Sequence, residues 1–387
     1  MERNPWPWPS LLLLSSAVFV SVTTELVPTG LLLGMSRDLG VSPSRLGLLV
    51  TGYAAMVALF AAPLGTLTAR LPRRELLVAA LAAYTASNAV MLVAPNYPVA
   101  FGARLLGGIT HGLFWAVVGG FAARLVSPDR VGRAVTVVSA GGGMAVLIGV
   151  PAGTSLGTAL GWRAAFGLLT AVAVGLTLLA WRLLPQVPGS TAAVRTPMRA
   201  VLRLPSFPPV VAMTAVTMLG AYLMITYTAP LLHRAGLAET QLAPVLLANG
   251  LAGTLMLPVA GWVADRRLRI GVVAAGGLLL AGLVLLWWQG TAMWAAITAV
   301  VLFGFGMGLL PIFMQALTLR VAPEHTEQAS GINASAYNVG VAGGALIGAF
   351  ALDTWGLGGI APLGVLLVAA GMAVYVVGSR RTGLAAG

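Results

Sequence analysis

Residues 11–33 read LLLLSSAVFVSVTTELVPTGLLL, an apolar run interrupted by a single charge, Glu25. About 20 mainly apolar residues in a helix cross a bilayer core, so the run from Leu11 to Leu33 is long enough to span. It does not have the form of a cleaved secretory leader. The preceding Met1-Glu2-Arg3-Asn4 carries little net charge, no small-residue cleavage site follows, and the run continues past Glu25. It is expected to be a retained first span, with Trp6 and Trp8 just before it, where indoles favour the membrane–water interface.

The same pattern recurs at 46–69, 76–94, 98–123, 134–158, 164–183, 207–232, 242–263, 270–289, 292–318, 328–351 and 358–378. The connections between these stretches are short and hold nearly all the charge. Across 387 residues the chain is 58% hydrophobic and 8% charged, whereas a soluble domain carries about 25% charged residues. Water cannot solvate such a surface, so lipid must cover most of it. Backbone groups in lipid must be satisfied within the segment, which makes the spans helices. Barrel strands would alternate with a period of two, and these runs are apolar all round. The expected fold class is therefore an all-α membrane protein with twelve transmembrane helices.

The chain has no cysteine, which excludes disulfides and thiolate-bound metals. Its net charge of +12 rests on arginine alone. With the N-terminus inside, seventeen arginines fall in cytoplasmic segments, from Arg3 through Arg70, Arg73, Arg74, Arg195 and Arg199 to Arg380 and Arg381. Arg37, Arg45, Arg163 and Arg234 fall outside, and Arg104 lies within the fourth span. This bias predicts cytoplasmic N- and C-termini in a bacterial inner membrane. It also accounts for the basic sequence without any nucleic acid.

An internal repeat sets the organisation. Val126-Ser-Pro-Asp-Arg130 returns as Val321-Ala-Pro-Glu-His325, and at the same offset Gly149 and Gly153 match Gly344 and Gly348. One residue further on in offset, Gly65, Arg70 and Arg73 match Gly261, Arg266 and Arg269. Each half thus holds six spans in the same sense. The expected units are 1–184 and 207–387, two parallel six-helix bundles joined by a cytoplasmic linker at 185–206.

These motifs resemble those of the major facilitator superfamily, over essentially the whole chain. Gly65-Thr-Leu-Thr-Ala-Arg70-Leu-Pro-Arg73-Arg is similar to the loop motif after the family's second helix, with Ala69 in place of the usual aspartate and Pro72 in place of a glycine. Its second-half counterpart, Gly261-Trp-Val-Ala-Asp265-Arg266, keeps the acid. Arg104-Leu-Leu-Gly-Gly resembles the fourth-helix motif, and Gly149-Val-Pro151-Ala-Gly153 the fifth-helix antiporter motif with Val150 for a glycine. Thr24-Glu25-Leu-Val-Pro28 and Gly161-Trp162-Arg163 look like the drug/proton antiporter branch, including sugar-efflux and chloramphenicol-resistance permeases. The resemblance implies alternating access of two bundles about a midplane site. It also implies an inner gate at Asp265 and Arg266, and a bending or sealing element at Gly149, Pro151 and Gly153. Solvated loop charge and plain helix packing are the respective alternatives.

Glu25 and Arg104 are the carboxylate and the permanent cation within the spans. Either costs about 2.5–3.5 kcal/mol at mid-membrane on insertion scales, so both are functional candidates. They lie roughly 12 and 9 Å from the outer ends of their spans, at heights that allow a pair, direct or through water. Apolar surroundings favour the neutral acid and a nearby guanidinium favours the carboxylate. Glu25 is expected to bind the coupling proton, with Arg104 tuning it or holding the fourth-helix network; a structural salt bridge is the alternative. Pro28, three residues on, frees a backbone carbonyl near the acid. Candidate cavity residues are Tyr53, His111, Trp115, Tyr222, Tyr227, Asn249, Gln315, Asn333, Tyr337 and Asn338, for each of which interhelical hydrogen bonding is the competing role.

The reading is a non-enzymatic secondary transporter exporting a small drug, sugar or metabolite in exchange for protons. The expected partners are that substrate, protons and the bilayer, with no cofactor, no metal site among the dispersed His111, His233 and His325, and a single copy of the chain. Proton-coupled uptake or facilitated diffusion in the same fold is the alternative. A receptor, or a membrane enzyme needing more acids or a nucleophile than the spans supply, stands further off.

Overall fold

The computed structural model describes residues 6–127, 130–189 and 201–381, without the side chains of 326, 327, 380 and 381. Arg3, Pro128, Asp129, Arg195, Arg199, the middle of the linker and the side chains of Arg380 and Arg381 lie outside the described residues.

The described chain is helical throughout its spans. In the first half the helices are α1 (Trp8–Gly30), α2 (Leu32–Leu39), α3 (Pro43–Leu67), α4 (Arg73–Val93), α5 (Tyr97–Arg124), α6 (Val131–Met144), α7 (Val150–Leu160) and α8 (Trp162–Leu183). The second half holds α9 (Phe207–Thr226), α10 (Thr228–Arg234), α11 (Leu242–Leu255), α12 (Leu257–Gln289), α13 (Met293–Val321), α14 (Thr326–Trp355) and α15 (Ile360–Arg381). Local chemistry sets several starts. Ser42 caps α3 by accepting from the Arg45 N–H, followed by Pro43 at the first turn. Asn96 caps α5 by accepting from the Val99 N–H at 3.1 Å.

Among the described residues, ten helical stretches are long and apolar enough to cross a bilayer. Two of them, Glu239–Gln289 and Gln328–Ser379, are 51 and 52 residues long, twice what one crossing needs. The first breaks at Arg267, with φ −144° and ψ 44°, and the second at Gly356, with φ 66°. Counted as two crossings each, they bring the total to the twelve spans that the apolar runs predict.

The repeat is visible in the packing. Spans one and five (α1 with α6 and α7), two and four (α3 with α5) and three and six (α4 with α8) pack together. The equivalent pairs in the second half, α9 with α14, α11 with α13 and α12 with α15, do the same. Even the helix breaks correspond. The first apolar run ends its helix at Leu31 and resumes as α2; the seventh breaks at Tyr227 and resumes as α10, one repeat apart.

Span five carries a wider turn. A π-helical turn at Ala145–Gly149 sits between α6 and α7, ending two residues before Pro151. A proline cannot donate to the carbonyl four residues back, and a π-turn is a standard way to absorb that loss. On its inward side this span lies close to α1: a Cβ at Gly149 would strike the Thr23 hydroxyl, and one at Gly153 the Val27 side chain.

The halves meet along α3 against α14, and along α7 and the π-turn against α11. Contact is tight at the face opposite the chain termini. Gly47 packs on the Tyr227 ring, a Cβ at Gly250 would lie 2.7 Å from the Val146 carbonyl oxygen, and Arg37 pairs with Glu239 at 2.7 Å. At the face carrying the termini the halves part, and a cavity of about 1270 Å³ runs inward past Ala69, Arg73, Leu257 and Gln328. The described linker ends are docked there. The Arg73 N–H donates to Val187 O at 2.8 Å, Arg124 holds the Pro188 carbonyl, and Val201 joins Phe207, Ala322, Ala329 and Ile332 in a small apolar cluster.

Candidate functional site

At the closed end of the cavity, side chains from both halves converge. From the first half come Glu25 on α1 and His111 and Trp115 on α5; from the second come Tyr222 on α9, Asn249 on α11 and Tyr337 and Asn338 on α14. Glu25 is the carboxylate among the described lining residues. Its Oε2 lies 3.6 Å from His111 Nε2.

His111 is held from behind. Its Nδ1 is 2.8 Å from the Tyr53 hydroxyl and 3.1 Å from Ser21 Oγ, which is itself 2.6 Å from the Tyr84 hydroxyl. The two hydroxyls hold Nδ1 and so turn Nε2 toward the carboxylate. Ser21 and Glu25 are one turn apart on α1, Tyr84 and Asn88 one turn apart on α4, and Arg104 and His111 two turns apart on α5. Three helices thus turn polar stripes toward one another inside an apolar bundle. Sequence reasoning missed Ser21, Tyr84 and Asn88; polar residues at helical spacing within apolar runs are the signal that finds them.

Arg104 lies beside the acid but does not grip its carboxylate. Nη1 donates to the Thr24 carbonyl at 2.7 Å and Nη2 to the Glu25 backbone carbonyl at 2.9 Å. The guanidinium sits 4.0 Å over the Tyr53 ring and the residue is 1% exposed. The carboxylate faces the His111 ring instead, with Oε2 3.6 Å from Nε2. Asn88 steadies the same stretch of α1 by donating to Thr24 Oγ1 at 3.1 Å.

On the opposite wall the Tyr222 and Tyr337 hydroxyls are 3.1 Å apart, with rings edge to face. One of two bonded hydroxyls donates to the other, which leaves one O–H for the cavity. Trp115 presents a half-open indole, 41% exposed, below His111. Asn249 donates to Val300 O and Asn338 to Ala334 O, so each spends a donor within its own half. The remaining candidates stand back from the cavity. Tyr53 supports His111, Tyr227 reaches Ala345 O at the closed face, Gln315 bonds Ser330, and Asn333 accepts from Thr214.

The motif glycines and charges fall into two places. Gly65 and Arg73 line the mouth, where Arg73 also donates to Ala69 O; the Arg70 carbonyl is covered by Gly189 of the linker. Gly261 and Asp265 are exposed, and Arg266 lies 5.1 Å from the Trp262 ring centre. Arg320 reaches across from α13 to the Ala264 carbonyl. Gly149, Pro151 and Gly153 stand away from the mouth, at the π-turn of span five and the start of α7.

Known proteins share this fold. A solved bacterial homologue of the human lysosomal transporter Spinster, inward-facing and unoccupied, superposes with a TM-score of 0.76 at 16% identity, covering 97% of this chain and 98% of that one. The human organic anion transporter TETRAN superposes with a TM-score of 0.69 at 17% identity, covering 96% and 100%. In sequence, the chain is 29% identical over 370 residues to a probable sugar efflux transporter of Mannheimia succiniciproducens, covering 95% of this chain and 92% of the relative. It is 27% identical over 364 residues to one of Pasteurella multocida, covering 93% and 89%. The sequence profile of the Major Facilitator Superfamily matches residues 13–345. With twelve helical crossings in two repeated halves and a cavity between them, the chain belongs to this superfamily of transporters.

Proposed function

We propose that the protein exports a small organic molecule, a sugar being the first class to test, in exchange for protons entering the cell. The observation that carries this reading is Glu25, a carboxylate on the wall of a cavity shared by both halves. A carboxylate there is reachable by solvent from the open face and by substrate in the cavity. The groups that face it are His111 and Arg104 from α5, Tyr53 from α3, and Tyr222 and Tyr337 from the second half. In this cycle a proton on Glu25 and a substrate hydroxyl or amine compete for the same oxygens, so loading one releases the other. One proton moving inward is worth about 2.3 kcal/mol per 100 mV, which supports a substrate gradient of roughly 50-fold.

The termini-bearing face, open here, is assigned to the cytoplasm of a bacterial inner membrane. The arginine-rich loops on that face support this orientation. Efflux is favoured by the names of the sequence relatives. The test uses inside-out vesicles with radiolabelled arabinose and an imposed pH gradient, alongside a screen of sugars and drugs on a deletion strain. Accumulation that collapses with a protonophore and is absent in Glu25→Gln supports the exchange. Accumulation unaffected by either change contradicts it.

A further inference from the structure

Pro28 has no N–H, so the Thr24 carbonyl four residues earlier lacks its helical donor. In a bilayer that oxygen must find another partner. Arg104 meets it from α5: Nη1 donates to Thr24 O at 2.7 Å, and Nη2 reaches the next carbonyl, Glu25 O, at 2.9 Å. A planar guanidinium offers two donors in a fixed fork, which suits two consecutive carbonyls on one helix. Both Nη groups are spent on these backbone carbonyls rather than on the Glu25 carboxylate, which influences the cation through space and lies 3.6 Å from His111. Nor is the cation exposed to the cavity; it is 1% exposed, with the Tyr53 ring over it.

We propose that Arg104 is a positioning residue that replaces the backbone donor missing at Pro28, and thereby fixes the turn that aims Glu25 at His111 and the cavity. Arginine and proline then form one device on two helices. The proline leaves the Thr24 carbonyl beside the acid without its helical donor, and the arginine supplies one without drawing the carboxylate away from the cavity. This rests on the reading of Glu25 as the exchanging acid, but its structural half is separable. Restoring an N–H at position 28 must make the arginine dispensable for the helix.

The test compares wild-type protein with Arg104→Met, Pro28→Ala and the double variant, each full-length. Melting in detergent and pH-gradient-driven flux of radiolabelled arabinose in proteoliposomes are measured. Arg104→Met is expected to melt lower and to lose flux by about tenfold or more, the scale of hydrogen bonds from a charged donor. Adding Pro28→Ala is expected to return melting to that of Pro28→Ala alone, and flux to within about threefold of it, the size of ordinary non-additivity. Arg104→Lys, with one compact donor group, should fall between. A double variant no more stable than Arg104→Met overturns the proposal. So does one that regains stability while flux stays lost, since Arg104 would then act through its charge. If Arg104→Met does not insert, recovery of a folded, monodisperse double variant supports the proposal, and its failure while Pro28→Ala folds overturns it. Melting involves no proton, so rescue of melting in a protein whose flux ignores the pH gradient would count against the Glu25 reading alone.

Discussion

At the scale of single residues, the proposed site is a carboxylate and an imidazole with a hydroxyl scaffold behind them. Tyr53 and Ser21 fix which nitrogen of His111 faces Glu25. Tyr53→Phe removes the shorter of those bonds, frees the ring to present either nitrogen, and is expected to slow gradient-driven transport about threefold to tenfold, from the usual worth of one hydrogen bond. Substrate counterflow, which needs no net proton movement, should change little; equal losses in both assays would make Tyr53 a packing residue only. Glu25 and Arg104 were legible as candidates because charge in an apolar run stands out. Their relation was not. Similar depth suggested a pair of side chains, whereas the arginine bonds the backbone that Pro28 leaves open. Depth along a helix is readable from sequence, but the direction a guanidinium takes depends on which nearby acceptor lacks a partner.

At the scale of elements, the π-turn in span five sits where the halves touch. Gly250 on α11 lies against the backbone of Val146 and Leu147 in the π-turn, so closure of that face depends on a missing side chain. Gly250→Val is expected to hold the face partly open. The chain has no cysteine, so an introduced Thr154→Cys gives a single reporter thiol at a site that is 0% exposed in this state. Its labelling from the face opposite the termini should rise at least about threefold with Gly250→Val, an effect at the low end of overpacking costs. Unchanged labelling would mean that the contact does not set closure. The antiporter-like string at Gly149, Pro151 and Gly153 falls at and just after this turn. The π-turn itself was hidden, since hydropathy follows which residues are apolar and not how many complete a turn. The same limit explains the breaks at Leu31 and Tyr227, which fall inside the predicted spans.

For the whole molecule, twelve spans and the two-fold repeat were readable directly, because lipid enforces helix and length at once. Which face is closed was not readable, since one sequence must serve both arrangements. In this state the face opposite the termini is sealed mainly by close helix packing, with Arg37–Glu239 as an exposed addition, 68% and 26% accessible. Surface pairs of that kind are worth about 0–1 kcal/mol. Arg37→Glu should therefore shift the labelling equilibrium no more than about fivefold, and the exchanged pair Arg37→Glu with Glu239→Arg should restore it; failure of the exchange to restore it would remove the pair from the closure. The most direct test of the whole account is proton counting during transport. Proteoliposomes loaded with a pH indicator report proton movement while flux of a substrate identified by the strain screen is followed in parallel. Wild-type protein should move protons opposite to substrate, and Glu25→Gln should exchange substrate across the membrane with no accompanying proton. Proton movement in step with substrate in Glu25→Gln would contradict the account.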